Sequence, residues 1–139
     1  MTMFNEYFTG DCSISLENVK YEKINEFEGN VTLEIKDDFK IKKNTINSSA
    51  VELIISRKLS FIPRSLVDIT VSFGVGLELN EKYKGNNAPD EDTLKNELFT
   101  EDNLITSIVM SRISLLISQL TSSYGERPIV TPPSFILEE

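Results

Sequence analysis

The chain has 139 residues, and 14 Lys and Arg against 22 Asp and Glu leave a net charge of −8. Its length fits a single domain, residues 1–139, large enough to bury about two-thirds of its unfolded surface. The negative balance argues against nucleic acid and anionic membrane surfaces, which select basic patches, and the absence of histidine removes the commonest general base and metal ligand.

At the N-terminus, Met1-Thr2-Met3-Phe4-Asn5-Glu6 has no basic residue and no long apolar core, so it does not read as a signal peptide. The single Cys12 cannot form an intrachain disulfide, which makes a reducing cytoplasm the natural compartment. The first strand is irregular: Ile14 and Leu16 occupy even positions, Val19 and Tyr21 odd ones, and the phase slips near Asn18 as at a β-bulge. A connection over residues 22–30 follows, with Phe27 its only aromatic.

Three regular strands come next. Val31, Leu33, Ile35, Phe39 and Ile41 share odd positions, with Asp37 the exception. Val51, Leu53, Ile55, Leu59 and Phe61 repeat the pattern, interrupted by Arg57, and Val67 through Leu79 alternate without a fault. Side chains on a strand point alternately to opposite faces, so each run presents one apolar face. Pro63 cannot donate to a ladder and marks a tight antiparallel turn between the last two strands. Gly74 and Gly76 within the strongest strand indicate a bend or a close approach by another backbone. The expected sheet is an antiparallel meander with one buried face.

Residues 80–103 form an acidic connector, with a short helix expected over 90–99. The long helix follows, with Thr100 as N-cap and Gly125 as its stop. Ile105, Val109, Ile113, Leu116 and Leu120 form its apolar stripe, widened by Leu104, Ile108 and Leu115. Its other face carries Ser107, Ser111, Ser114 and Ser118, and only Arg112 is charged between residues 103 and 125. An uncharged outer face wants cover, so these serines are expected at an oligomer interface. The stretch 104–120 is too interrupted by polar residues to be a membrane span. The tail from Arg127 to Leu137 is extended by its prolines and carries enough apolar residues to pack along the body.

No catalytic set is visible. Serines lack a nucleophile elbow and a histidine, and Cys12 lacks a histidine partner. Asp90-Glu91-Asp92 lacks the glycine and terminal glutamate of a calcium loop. Gly74-Val75-Gly76 lacks the third glycine of a phosphate loop. No metal or cofactor is expected, and the chain reads as a non-enzyme. What remains is aromatic surface: Tyr21, Phe27, Phe61, Phe73 and Phe135 are candidates for an apolar binding groove, with core the competing role for each.

The element order, four antiparallel strands, acidic connector, long helix and Pro-rich apolar tail, resembles the SecB family of export chaperones. Local similarity is strongest from Met110-Ser111-Arg112-Ile113 to Pro132-Pro133-Ser134-Phe135, and the strand Leu66 to Leu79 with its central glycine is similar to the family's fourth. The resemblance implies an α+β fold, a four-stranded antiparallel sheet with one long helix packed on it. It also implies an ATP-independent holdase, a homotetramer built as a dimer of dimers, and unfolded or precursor polypeptides held in apolar grooves. Its further implied partners are a translocase motor or, as for some SecB-like proteins, an antitoxin. The connection after the first strand is shorter than the family's, and the sequence has no Cys/His zinc tail. The competing class is a non-catalytic oligomeric scaffold or adaptor with one dedicated protein partner.

Overall fold

The computed structural model describes residues 8–42, 50–83, 90, 92, 96, 104–122, 128–134 and 136, the side chains at 10, 11, 42, 50, 83 and 104–107 excepted. The alternating runs become β1 (Phe8–Lys23), β2 (Thr32–Lys42), β3 (Ala50–Ile62) and β4 (Val67–Leu79). A 3-10 turn, Glu81–Tyr83, closes β4, and the helix α1 spans Leu104–Ser122. The fold is α+β, a four-stranded antiparallel sheet among the described residues, with the helix on one face. The short helix expected over 90–99 lies mostly outside the described residues, although Asp92 and Asn96 are helical; Thr100 and Gly125 lie outside them too.

The strand order is β1-β4-β3-β2, which corrects the expected meander. Strands β2, β3 and β4 follow one another, whereas β1 crosses the sheet end and pairs with β4, a Greek-key arrangement. Alternation shows which face a residue takes but not which strand it pairs with, so this crossover is invisible to the periodicity. The phase slip near Asn18 is a register shift between Leu16 and Asn18 in the β1–β4 pairing. It returns Val19 and Tyr21 to the face shared by Ile14 and Leu16, because Val19 lies opposite Val71 and Tyr21 opposite Ile69.

The crossover is tied to the β3–β4 turn. Ile24 N–H donates to the Leu66 carbonyl at 2.8 Å, and Leu66 N–H donates to the Asn25 carbonyl at 3.0 Å. The Ile62–Pro63 bond is cis and Leu66 sits at φ 62°, a left-handed backbone held by both of those bonds. The Ser65 hydroxyl donates to the Pro63 carbonyl at 2.8 Å.

The core is the odd-numbered face of β3 and β4. Val51, Leu53, Ile55, Leu59, Ile69, Val71, Val75, Leu77 and Leu79 are buried there, with Phe39 from β2 and Phe8 from β1. Val109, Met110, Ile113 and Ile117 of α1 complete it. This stripe is rotated from the expected one. Met110 and Ile117 are buried, Leu116 and Leu120 only partly, and Leu115 is 60% exposed. The chain's own tail lies along the flank of α1 that carries Ser114 and Thr121.

On the opposite sheet face, the two strand glycines make room for side chains of β1. A Cβ at Gly76 would stand 2.6 Å from Ser13 Oγ, and one at Gly74 would collide with Glu17. The approach expected at these glycines is therefore by neighbouring side chains rather than by a backbone.

Candidate polypeptide-binding face

Helix and tail do not cover the whole apolar face. Among the described residues β1 is an edge strand, and its apolar side leaves Leu16 52% and Val19 37% exposed beside the partly buried Ile14 and Tyr21. These four share the face that α1 packs against, since Ile14 lies opposite Val75 and Leu16 opposite Phe73. More apolar side chains are open at the crossover end of the sheet, where Phe27, Leu33, Ile62 and Leu66 are all at least one-third exposed. Cys12, opposite Leu77 on β1, is exposed. Open apolar surface at a sheet margin is the feature expected where another polypeptide docks.

The structure separates the five expected groove aromatics. Phe27 is exposed in the crossover, and Tyr21 and Phe61 are partly buried against the core. Phe73 is 8% exposed between Leu16 and Ile55 and belongs to the core, so its expected groove role is corrected: its side chain is covered within the described residues. Phe135 lies outside the described residues. The sequence reading missed Leu16, Val19 and Ile62 as open surface, because alternation assigns an apolar residue to a face without saying whether anything covers it.

The four serines also part. Ser111 is exposed and Ser118 half-buried, and the Ser107 side chain is not among those described. Ser114 is buried and donates to the Thr131 carbonyl of its own chain at 2.6 Å, which corrects its expected place in an oligomer interface. Thr121 Oγ1 accepts from Ile129 N–H at 2.7 Å and donates to the Ile117 carbonyl. The cover inferred for the helix's small, uncharged side is thus supplied in part by the tail.

The tail ends in a polar cluster built on the two residues that break the strand alternation. Asp37 and Arg57 are register partners across β2 and β3, with both side chains fully buried. Arg57 Nε and Nη2 donate to the two carboxylate oxygens at 2.7 Å each. Its Nη1 donates to Thr131 Oγ1 at 2.9 Å and to the Pro132 carbonyl at 2.6 Å, and Nη2 also reaches the Ser134 carbonyl at 2.9 Å. Those five bonds match the five N–H donors of a guanidinium. Asp37 Oδ2 accepts a further bond from Ile136 N–H at 2.7 Å. A charge break in an apolar run is a signal the sequence carries, but it names a cluster only once the strand register is known.

Among the described residues, no helix is long and apolar enough to cross a membrane. No protein-family model matches the chain, and no curated protein matches it. Solved structures do. The SecB-like chaperone Rv1957 of Mycobacterium tuberculosis, solved with a peptide from the HigA1 antitoxin, superposes with a TM-score of 0.64 over 86% of each chain, at 13% identity. A protein of unknown function from Streptococcus agalactiae aligns over 88% of this chain and 97% of its own, with a TM-score of 0.45 and 10% identity. The first likeness shows a SecB-like fold.

Proposed function

We propose that the chain is an ATP-independent holdase that binds unfolded polypeptides on the open margin of its apolar face. The observation that carries this reading is Leu16 and Val19 standing half-open on an edge strand of a SecB-like fold, next to a helix that stops short of covering them. The M. tuberculosis neighbour was solved holding a peptide from an antitoxin, and a peptide-sized ligand fits such a margin. Affinity would come from apolar burial and from pairing with the β1 edge, neither of which demands a particular client sequence. The function is non-catalytic and its setting cytoplasmic. Clients are precursor polypeptides awaiting export through a translocase motor, or an antitoxin.

The working unit is a homo-oligomer, a dimer of dimers. In support, the outer strip of α1 exposes Ser111, Leu115, Gln119 and Ser122 with Arg112 its one charge, and a nearly uncharged outer helix face is one that another subunit can cover.

The test is capture of a permanently unfolded, reduced polypeptide compared with its folded form, with aggregation suppression measured in the absence of ATP. Selective micromolar or tighter capture supports the holdase. A folded oligomer that captures neither form moves the function to a scaffold or adaptor with one dedicated partner.

A further inference from the structure

The Asp37–Arg57 pair holds its own chain's tail almost wholly by the main chain. The groups it engages are the carbonyls of Pro132 and Ser134 and the N–H of Ile136. They recur at every second residue along a segment that bends at Pro133 and Ser134, so the bend and the spacing together turn these three groups toward the pair. The pair offers both polarities, guanidinium donors for carbonyls and a carboxylate oxygen for an N–H. Only the Thr131 hydroxyl among its tail contacts depends on side-chain identity.

We infer that Asp37 and Arg57 form a main-chain-reading site for a polypeptide segment without regular secondary structure, that the tail is its resident occupant, and that a segment supplied in trans competes for it. Three of the five bonds made by the buried guanidinium go to the tail. Tail release therefore uncovers three guanidinium donors, which another backbone's carbonyls can take in place of water. The occupant is lightly covered from outside: Val130 is 78% exposed, and Pro132, Pro133 and Ser134 are exposed as well. Its anchors on the helix are two hydroxyls, Ser114 and Thr121. Identifying the competing segment as part of an unfolded client rests on the holdase reading; the site itself does not.

The experiment titrates the full-length chain into a fluorescein-labelled synthetic peptide of residues 128–136. In Ser114→Ala/Thr121→Val the helix anchors are loosened while Asp37 and Arg57 stay untouched. A larger fraction of molecules then has the site open, and peptide affinity rises by about tenfold, in proportion to that fraction. Ser114→Ala alone, a milder change, raises it by a smaller factor and serves if the double variant does not fold. The same peptide N-methylated at Ile136 cannot donate to Asp37 and binds about tenfold more weakly or worse, as expected for losing a bond to a buried charge. A scrambled peptide that keeps the paired prolines binds within about threefold of the original, because the readout is of the backbone.

Equal binding by the N-methylated peptide, or no gain in a folded loosened variant, overturns the inference. The outcome is separable from that of the holdase test. Tail-peptide binding without capture of an unfolded polypeptide leaves the site standing and removes the holdase. Capture that the tail peptide does not reduce, with no response to N-methylation, does the reverse.

Discussion

Asp37 and Arg57 face each other across the β2–β3 pairing and share two 2.7 Å hydrogen bonds with neither side chain exposed to solvent. Two desolvated charges rarely stabilise a fold as well as apolar residues of the same volume. Their presence among Ile35, Phe39, Ile55 and Leu59 therefore points to a task besides packing. Here the pair converts one patch of an apolar face into a polar seat, and the last stretch of chain occupies it.

Removing either charge alone leaves the other buried and uncompensated. Asp37→Ala is expected to destabilise the fold by about 3–5 kcal/mol, and Arg57→Ala by a similar amount. Asp37→Leu combined with Arg57→Met should recover most of that loss, since an apolar pair of similar size restores the stripe. Urea unfolding of the two single variants and the pair measures this. In the pair variant the Ile136 amide, bonded to Asp37 in the native chain, should exchange with solvent at the rate of an unprotected amide while the β3 and β4 amides stay protected. Additive losses in the double variant would remove the claim that the pair acts as a unit.

Each half of this cluster was visible in the sequence as a fault. Asp37 and Arg57 are the two interruptions of otherwise regular alternation, and each alone reads as a charged side chain on a strand. Their pairing depends on the hairpin register, set by a connection that periodicity does not describe. Strand existence, the phase slip at Asn18 and the close approach at Gly74 and Gly76 are local properties and could be read directly. The β1–β4 pairing, the seat of Ser114 under Thr131 and the openness of Leu16 depend on segments distant in sequence. Residue type alone does not encode them. The same gap misplaced Phe73, whose alternation is identical whether it faces a groove or the core.

Leu66 is the one described non-glycine residue in the left-handed region, with φ 62°. Its N–H and carbonyl are both bonded to the crossover, so the conformation is held from outside. A side chain there costs roughly 1–2 kcal/mol, and glycine returns part of the gain through its unfolded-state entropy. Leu66→Gly is expected to stabilise the chain by about 0.5–1 kcal/mol. A shift of the urea midpoint to higher concentration with an unchanged slope is the signature; a shift to lower concentration would mean that the Leu66 side chain, 36% exposed, packs more usefully than its exposure suggests.

Client capture should follow the open margin rather than the buried aromatics. Leu16→Asp and Val19→Lys place charges where a client's apolar groups would lie, and each is expected to weaken capture of an unfolded polypeptide by about tenfold or more. At half-exposed positions they should change stability by no more than about 1 kcal/mol. Phe73→Ala provides the contrast, with an expected stability loss of about 3–5 kcal/mol from the cavity it leaves. Unfolding midpoints separate the two effects. Normal capture by a folded Leu16→Asp variant would place the client surface elsewhere, with the Phe27, Ile62 and Leu66 end the next to test.

Ser111 and Ser114 lie on different sides of α1 and predict different outcomes. Ser111 is exposed one turn from Leu115, whereas Ser114 is buried against the Thr131 carbonyl. Ser111→Asp or Leu115→Asp adds charge to the outer strip of α1. If that strip packs on another subunit, either change lowers the native mass while leaving the unfolding midpoint of the separated subunit close to that of the parent. Ser114→Asp acts inside the subunit: a carboxylate cannot donate to the carbonyl that Ser114 now serves, and it would be buried beside that oxygen without a partner. Its expected effect is a loss of about 1–3 kcal/mol and release of the tail, whatever the oligomeric state. Native mass spectrometry beside urea unfolding separates the cases. An unchanged native mass for both Ser111→Asp and Leu115→Asp would remove the outer helix strip from the assembly and leave the β1 edge as the surface to examine.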